Sequence, residues 1–136
     1  MRSFIPCFIL LAACSQGQES SLSIATGNFA GEGRDRLCIA GETGNYRGGL
    51  IAFGAGEVNC SASGKIESEN GQISLLPRGE GGCRIPISIE GDTARIGEVP
   101  AACSYYCGPG ASMAGKTFNR AGAGATATDL AGDPLC

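Results

Sequence analysis

Cys83-Arg84-Ile85-Pro86-Ile87-Ser88-Ile89-Glu90 decides the fold class. Cys83, Ile85, Ile87 and Ile89 recur at a period of two, so an extended chain gathers them on one face. Pro86 has no N–H to give a neighbouring strand, which predicts an edge strand or a bulge. The alternation continues outward in both directions. Ile73 and Leu75 share a face within residues 72–76, and Ala94 and Ile96 do so within residues 93–97. Leu37 and Ile39 flank Cys38; residues 49–53 form a short apolar run; Val58, Cys60 and Ala62 alternate again. Asn70-Gly71 tolerates the positive φ of a type I′ hairpin turn. Gly54-Ala55-Gly56, residues 79–82 and Gly91-Asp92 mark further reversals. Short strands reversing about every eight to twelve residues predict an all-β domain, a small antiparallel meander closing as a barrel or sandwich.

After Pro100 the texture changes. Residues 101–116 hold two cysteines, Tyr105-Tyr106 and Gly108-Pro109-Gly110, and read as a disulfide-tied loop. Residues 121–135 are dominated by small side chains, with residues 128–131 the best place for a helical turn or two. The C-terminal segment is therefore expected to be irregular and to add little core.

Composition narrows the function. Among the 136 residues there are 8 cysteines, 23 glycines, no histidine and no tryptophan. The missing histidine removes the commonest general base and the commonest transition-metal ligand. The formal charge is −3, and the basic residues are scattered among acids. Nucleic-acid binding, which needs clustered Lys and Arg to displace counterions, is not expected. From Cys14 onward only 21 of 123 residues are Leu, Ile, Val or Phe. So thin an apolar supply predicts a glycine-rich core that depends on covalent cross-links.

The N-terminus shows where those links form. Arg2 precedes an apolar run at residues 4–11, followed by Leu11-Ala12-Ala13-Cys14. The run is too short to span ~30 Å of hydrocarbon; with its small residues it reads as a signal peptide. Leu11-Ala12-Ala13-Cys14 resembles the lipobox of bacterial lipoprotein precursors. The resemblance implies a signal peptide at residues 1–13, cleavage before Cys14 and acylation of that cysteine, including palmitate. A polar tether would then run to residue 21, and a single disulfide-rich β domain would occupy residues 22–136. It implies a membrane partner through the lipid. Ser15 stands where the family carries aspartate for inner-membrane retention, which favours an outer membrane facing the periplasm.

With Cys7 in the leader and Cys14 lipidated, Cys38, Cys60, Cys83, Cys103, Cys107 and Cys136 remain. An even number in an exported chain predicts three disulfides, in any of 15 pairings. Cys38 and Cys60, on successive predicted strands, are candidates to bridge each other, and Cys136 to pin the C-terminus. A zinc site is not expected, because only Cys103 and Cys107 are close and their C-x₃-C spacing is not C-x₂-C. No metal and no cofactor are expected.

Catalytic constellations are scarce. Lys65 and Lys116 follow glycine in expected turns, at S-x-x-x-K spacing rather than the S-x-x-K of a serine–lysine dyad. Glu67 and Glu69 share a strand face, and Glu90 and Asp92 flank a glycine; glycosidase chemistry would require one of a pair to stay protonated. Asp129 and Asp133 lack the oxygen-dense spacing of a calcium loop. Asn59-Cys60-Ser61 matches a glycosylation acceptor only by chance. Tyr105 and Tyr106, beside a cysteine and a Pro/Gly loop, are the candidate binding surface, because a rigid aromatic platform loses little entropy on binding.

The expected function is a lipid-anchored, non-catalytic binding or structural module with an envelope protein or glycan partner. The alternative is an inhibitor of a secreted enzyme. Ser61-Ala62-Ser63-Gly64 is similar to the serine–glycine motif of membrane-bound inhibitors of C-type lysozyme, also small lipid-anchored barrels. That family places a tyrosine three residues after the serine, where this chain has Ile66, and its second motif, a tyrosine before a lysine, is absent.

Overall fold

The computed structural model of the chain describes residues 24–69, 72–79 and 81–136. The leader, Cys14, the tether and the Asn70-Gly71 turn lie outside these residues. Eight strands follow in chain order: β1 (Gly27–Ala30), β2 (Arg36–Glu42), β3 (Asn45–Phe53), β4 (Asn59–Glu69), β5 (Gln72–Pro77), β6 (Ile85–Glu90), β7 (Thr93–Ile96) and β8 (Thr117–Ala121). Each pairs antiparallel with the next, and β8 pairs back onto β1 through Asn28↔Ala121 to Ala30↔Asn119. The sheet is a closed up-and-down barrel. At eight strands such a barrel is narrow enough for side chains to fill.

The filling follows the period-two pattern. Phe29, Leu37, Leu50, Leu75, Ile85, Ala94, Ile96 and Phe118 point inward, each with no exposed surface. Glycines make room for them. Gly48 faces Ile66, and Gly64 lies so close to the Leu76 carbonyl that a Cβ would collide with it. At Gly64, β4 pairs with β3 through Gly48 and with β5 through Pro77.

The meander gives the barrel two unlike ends. The β2–β3 and β6–β7 turns are two residues each, with Gly44 at φ 85° and Gly91 at φ 59°. They share the lower end with the start of β1 and the end of β8. Arg120 ties this rim: Nη1 donates to the Thr26 carbonyl (2.7 Å) and Nε to Asp92 Oδ1 (2.9 Å). Its guanidinium lies 4.9 Å from the Phe29 ring centroid. The upper end carries the longer connections. Asp35, in the β1–β2 turn and buried, accepts the Phe53 N–H at 2.8 Å and pairs with Lys116 Nζ at 3.5 Å. Residues 97–116 fold over this end as a lid containing a 3₁₀ helix (Ala101–Tyr106), with Cys103 and Met113 buried in the core beneath.

Three disulfides form: Cys38–Cys136, Cys60–Cys107 and Cys83–Cys103. They are nested one inside the next along the chain, at separations of 98, 47 and 20 residues. The expected Cys38–Cys60 bridge does not form. Leu37 and Ile39 point inward, so Cys38 faces outward, whereas Cys60 is in the interior cluster, with all of β3 between them.

Three further expectations are corrected. β6 is not an edge, because it pairs with β5 and β7; Pro86 lies opposite Ser74, one residue before the β7 ladder starts at Ile87↔Ile96. Strands also form on either side of the expected meander, since β1 and β8 close the barrel. Residues 128–131 are not helical. Asp129 Oδ1 accepts the N–H groups of Ala131 and Asp133 (2.9 Å each), a turn that competes with helix, and Gly132 follows at φ 87°.

Residues 122–136 instead form a strap over the outside of β2 and β3. Leu135 sits on Gly49, at a point where any side chain would collide with it. Ile51 points outward yet is only 3% exposed, and Ala127 is 1% exposed. Both lie outside the interior cluster.

Candidate binding surface

The lid is built from small residues and fastened to the barrel at several points, three of them around its helix. Cys103 is bonded to Cys83 in the β5–β6 connection, and Cys107 to Cys60 at the start of β4. Gly108 N–H donates to the Asn59 carbonyl at 2.9 Å, extending the Cys107 contact into the barrel wall. The third point is Tyr106, whose hydroxyl accepts the Gly79 N–H at 3.1 Å.

The tyrosine pair thus divides its labour. Tyr106 is half-buried and packs against the core. Tyr105 is 86% exposed and meets the Tyr106 ring edge-on, with centroids 5.3 Å apart and planes at 89°. Edge-to-face is an arrangement that aromatic quadrupoles prefer, so the contact biases the orientation of the outer ring. Among the described residues Tyr105 and Leu130 are the exposed large hydrophobics. From Val99 to Gly115 the lid carries no charged side chain. A groove of about 220 Å³ lies beside the helix, floored by Cys103 and Met113 and bordered by Pro100, Ser104 and Ser112.

The other sequence candidates are placed elsewhere and are engaged. Glu67 and Glu69 lie on the outer face of β4. Glu67 contacts Arg84 at 3.2 Å and Lys65 at 3.3 Å, and Glu69 approaches Arg84 at 3.8 Å. Hydrogen bonds from Arg84 and then Lys65 hold the Glu67 carboxyl below its ordinary pKa. This favours the ionised form, the reverse of what a general acid needs. Lys65 borders a groove of about 610 Å³ at the lower rim, with Ile24, Tyr46 and Ile66. Lys116 is paired with Asp35. Glu90 stands opposite Thr93 in the β6–β7 backbone register, Asp92 holds Arg120, and Asp129 organises the strap turn. Asn59 bonds the Glu57 carbonyl. Ser63 and Gly64 sit inside β4, where the glycine answers the approach of Leu76. Among the described residues no His, Cys, Asp or Glu group is arranged to hold a metal ion. No helix among them is long and apolar enough to cross a membrane.

One feature carried no sequence signal. Arg34 stacks on Phe53, 4.0 Å from the ring centroid, and pairs with Glu57 at 3.1 Å. Together with Arg36 and Leu130 these residues line a groove of about 450 Å³ between the upper rim and the strap. Arg34 is already matched by Glu57, and Arg36 donates to the Gly33 and Asp35 carbonyls. The groove becomes visible only when residues 122–136 are laid on the barrel.

No family model, curated protein or solved structure matches this chain.

Proposed function

We propose that the protein is a lipid-anchored, non-catalytic binding module of a bacterial cell envelope, and that it meets its partner through the lid around Tyr105. The observation that carries this reading is the lid itself. An exposed tyrosine is held against a second ring on a short helix, and two disulfides fasten that segment to the barrel. Such a surface binds with little loss of conformational freedom, and a tyrosine offers both an apolar face and a hydroxyl. Its lack of charge suits a neutral glycan or a weakly charged protein face. Three disulfides agree with an oxidising compartment. The lipobox resemblance supplies the anchor at Cys14. β1 begins at the lower end of the barrel, opposite the lid.

Two measurements on the full chain test the proposal. Labelled fatty acid is expected to enter the native chain and not Cys14→Ala; equal labelling of both removes the anchor. A photo-crosslinking amino acid at position 105 is expected to give a discrete adduct in the envelope that the same probe at position 91, on the lower end, does not. No adduct from 105, or the same adduct from both positions, overturns the lid as contact surface.

Inhibition of a secreted enzyme is the second reading. A closed, disulfide-bonded barrel with a rigid upper surface suits insertion into a cleft. Loss of lysozyme activity on adding the native chain, restored by Tyr105→Ala, would move the function to this class.

A further inference from the structure

We propose that residues 122–136 are a redox-released strap, latched by Cys38–Cys136 and opened by a dithiol reductant. The strap's backbone bonds are internal: Ala125 N–H to Gly122, Asp129 N–H to Asp133, Gly132 N–H to Asp129 and Leu135 N–H to Ala127. Its side-chain bonds, from Thr126 to Ala123 and onto Asp129, also stay within it. Among the described residues no hydrogen bond or ion pair joins it to the barrel. It is held by chain continuity at Ala121, by apolar contact at Leu135 and Ala127, and by one disulfide.

The three disulfides differ in what remains when each is cut. Cys83 and Cys103 are both buried, and Tyr106 still fastens their lid to Gly79. Cys60 is in the core, and Cys107, partly exposed like Cys136, keeps its neighbouring backbone bond to Asn59. Cys136 is partly exposed, its partner Cys38 is buried, and no hydrogen bond among the described residues gives the strap a second fastening to the barrel. An attacking thiolate must reach a sulfur, and the opened end must then move away before it recloses. Cys60–Cys107 and Cys38–Cys136 each present one partly exposed cysteine, and of these two it is Cys38–Cys136 whose opening frees a segment that no hydrogen bond holds to the barrel.

Opening is a two-electron exchange. The Cys38–Cys136 S–S bond breaks, both sulfurs become thiols, and the attacking dithiol closes to its own disulfide. Release removes Leu135 from Gly49 and uncovers the outward Ile51, leaving the barrel intact because its ladder and the other two disulfides do not involve the strap. The proposal is independent of lipidation.

The test uses the full chain. Under limiting dithiothreitol with alkylation trapping, Cys38 and Cys136 are expected to be labelled while Cys60–Cys107 and Cys83–Cys103 remain oxidised. In Cys38→Ser/Cys136→Ser, amide exchange over residues 122–136 is expected to rise about tenfold or more, with β3 and β4 unchanged. Unchanged strap protection would overturn the latch, showing that packing suffices. Labelling of Cys83 or Cys107 before Cys136 would overturn the order of opening. Should the double variant fail to fold, trapping on the native chain decides alone.

Discussion

A side chain costs most where backbone already occupies its space. At Gly64 a Cβ would meet the Leu76 carbonyl, whereas at Gly122 it would meet nothing within 4 Å. Gly64→Ala is therefore expected to destabilise by about 1–3 kcal/mol, and Gly122→Ala by less than about 0.5 kcal/mol, in guanidinium unfolding of the oxidised chain. Asp35 separates two effects. Asp35→Ala orphans the partly buried Phe53 N–H and is expected to cost about 1–3 kcal/mol. Asp35→Asn keeps an acceptor, loses the charge facing Lys116, and is expected to cost less. Glu67 predicts a pH dependence. Its pKa is lowered by Arg84 and Lys65, so the fold favours the carboxylate. The resulting stability is present above the ordinary carboxylate pKa and lost as pH falls through the lowered value. Glu67→Gln is expected to be slightly less stable than the native chain at pH 7 and to converge with it in acid; a gap that persists at the lowest pH would contradict the assignment. Because the group is solvent-facing, the gap is also expected to shrink with added salt.

Elements differ in how firmly they are paired. β3 and β4 share a ladder from Arg47↔Lys65 to Phe53↔Asn59, whereas β8 meets β1 and β7 over three residues each. Hydrogen exchange is expected to be fastest in β1 and β8 and slowest in β3 and β4, because short ladders open with small free energies. Arg120 spans the seam at the lower rim, so Arg120→Ala is expected to speed exchange in β1 and β8 selectively. At the lid, Tyr106→Phe removes the acceptor of the Gly79 N–H and is expected to cost about 0.5–1 kcal/mol, while Tyr105→Ala leaves thermal unfolding unchanged. That contrast separates the residue that holds the lid from the one it displays.

For the whole molecule, the barrel's middle was legible and its closure was not. Ile85, Ile87 and Leu75 show their strands because a large apolar residue recurs at every second position. β1 has Phe29 as its single large inward residue, and β8 has Phe118 followed on the same face by Arg120. Their strand state comes from the neighbours they close against, which no local pattern records. The outward direction of Cys38 was readable from Leu37 and Ile39. Its partner was not, since residues 122–136 carry no periodicity that places them on the barrel. Tyr105-Tyr106 stood out as a pair, but adjacent residues in a 3₁₀ helix point different ways, and only the fold shows which ring is used internally.

The nesting of the three cross-links has a consequence for durability. Any single peptide bond severed between Cys38 and Cys136 leaves both fragments on one covalent scaffold, because at least the outermost bridge spans the break. A protease acting once on a surface loop between these two cysteines would release no fragment and leave the apparent mass without reductant unchanged. Within that span the molecule tolerates a nick as a closed ring does, and discards material only after a second cut or after its outer bridge is gone.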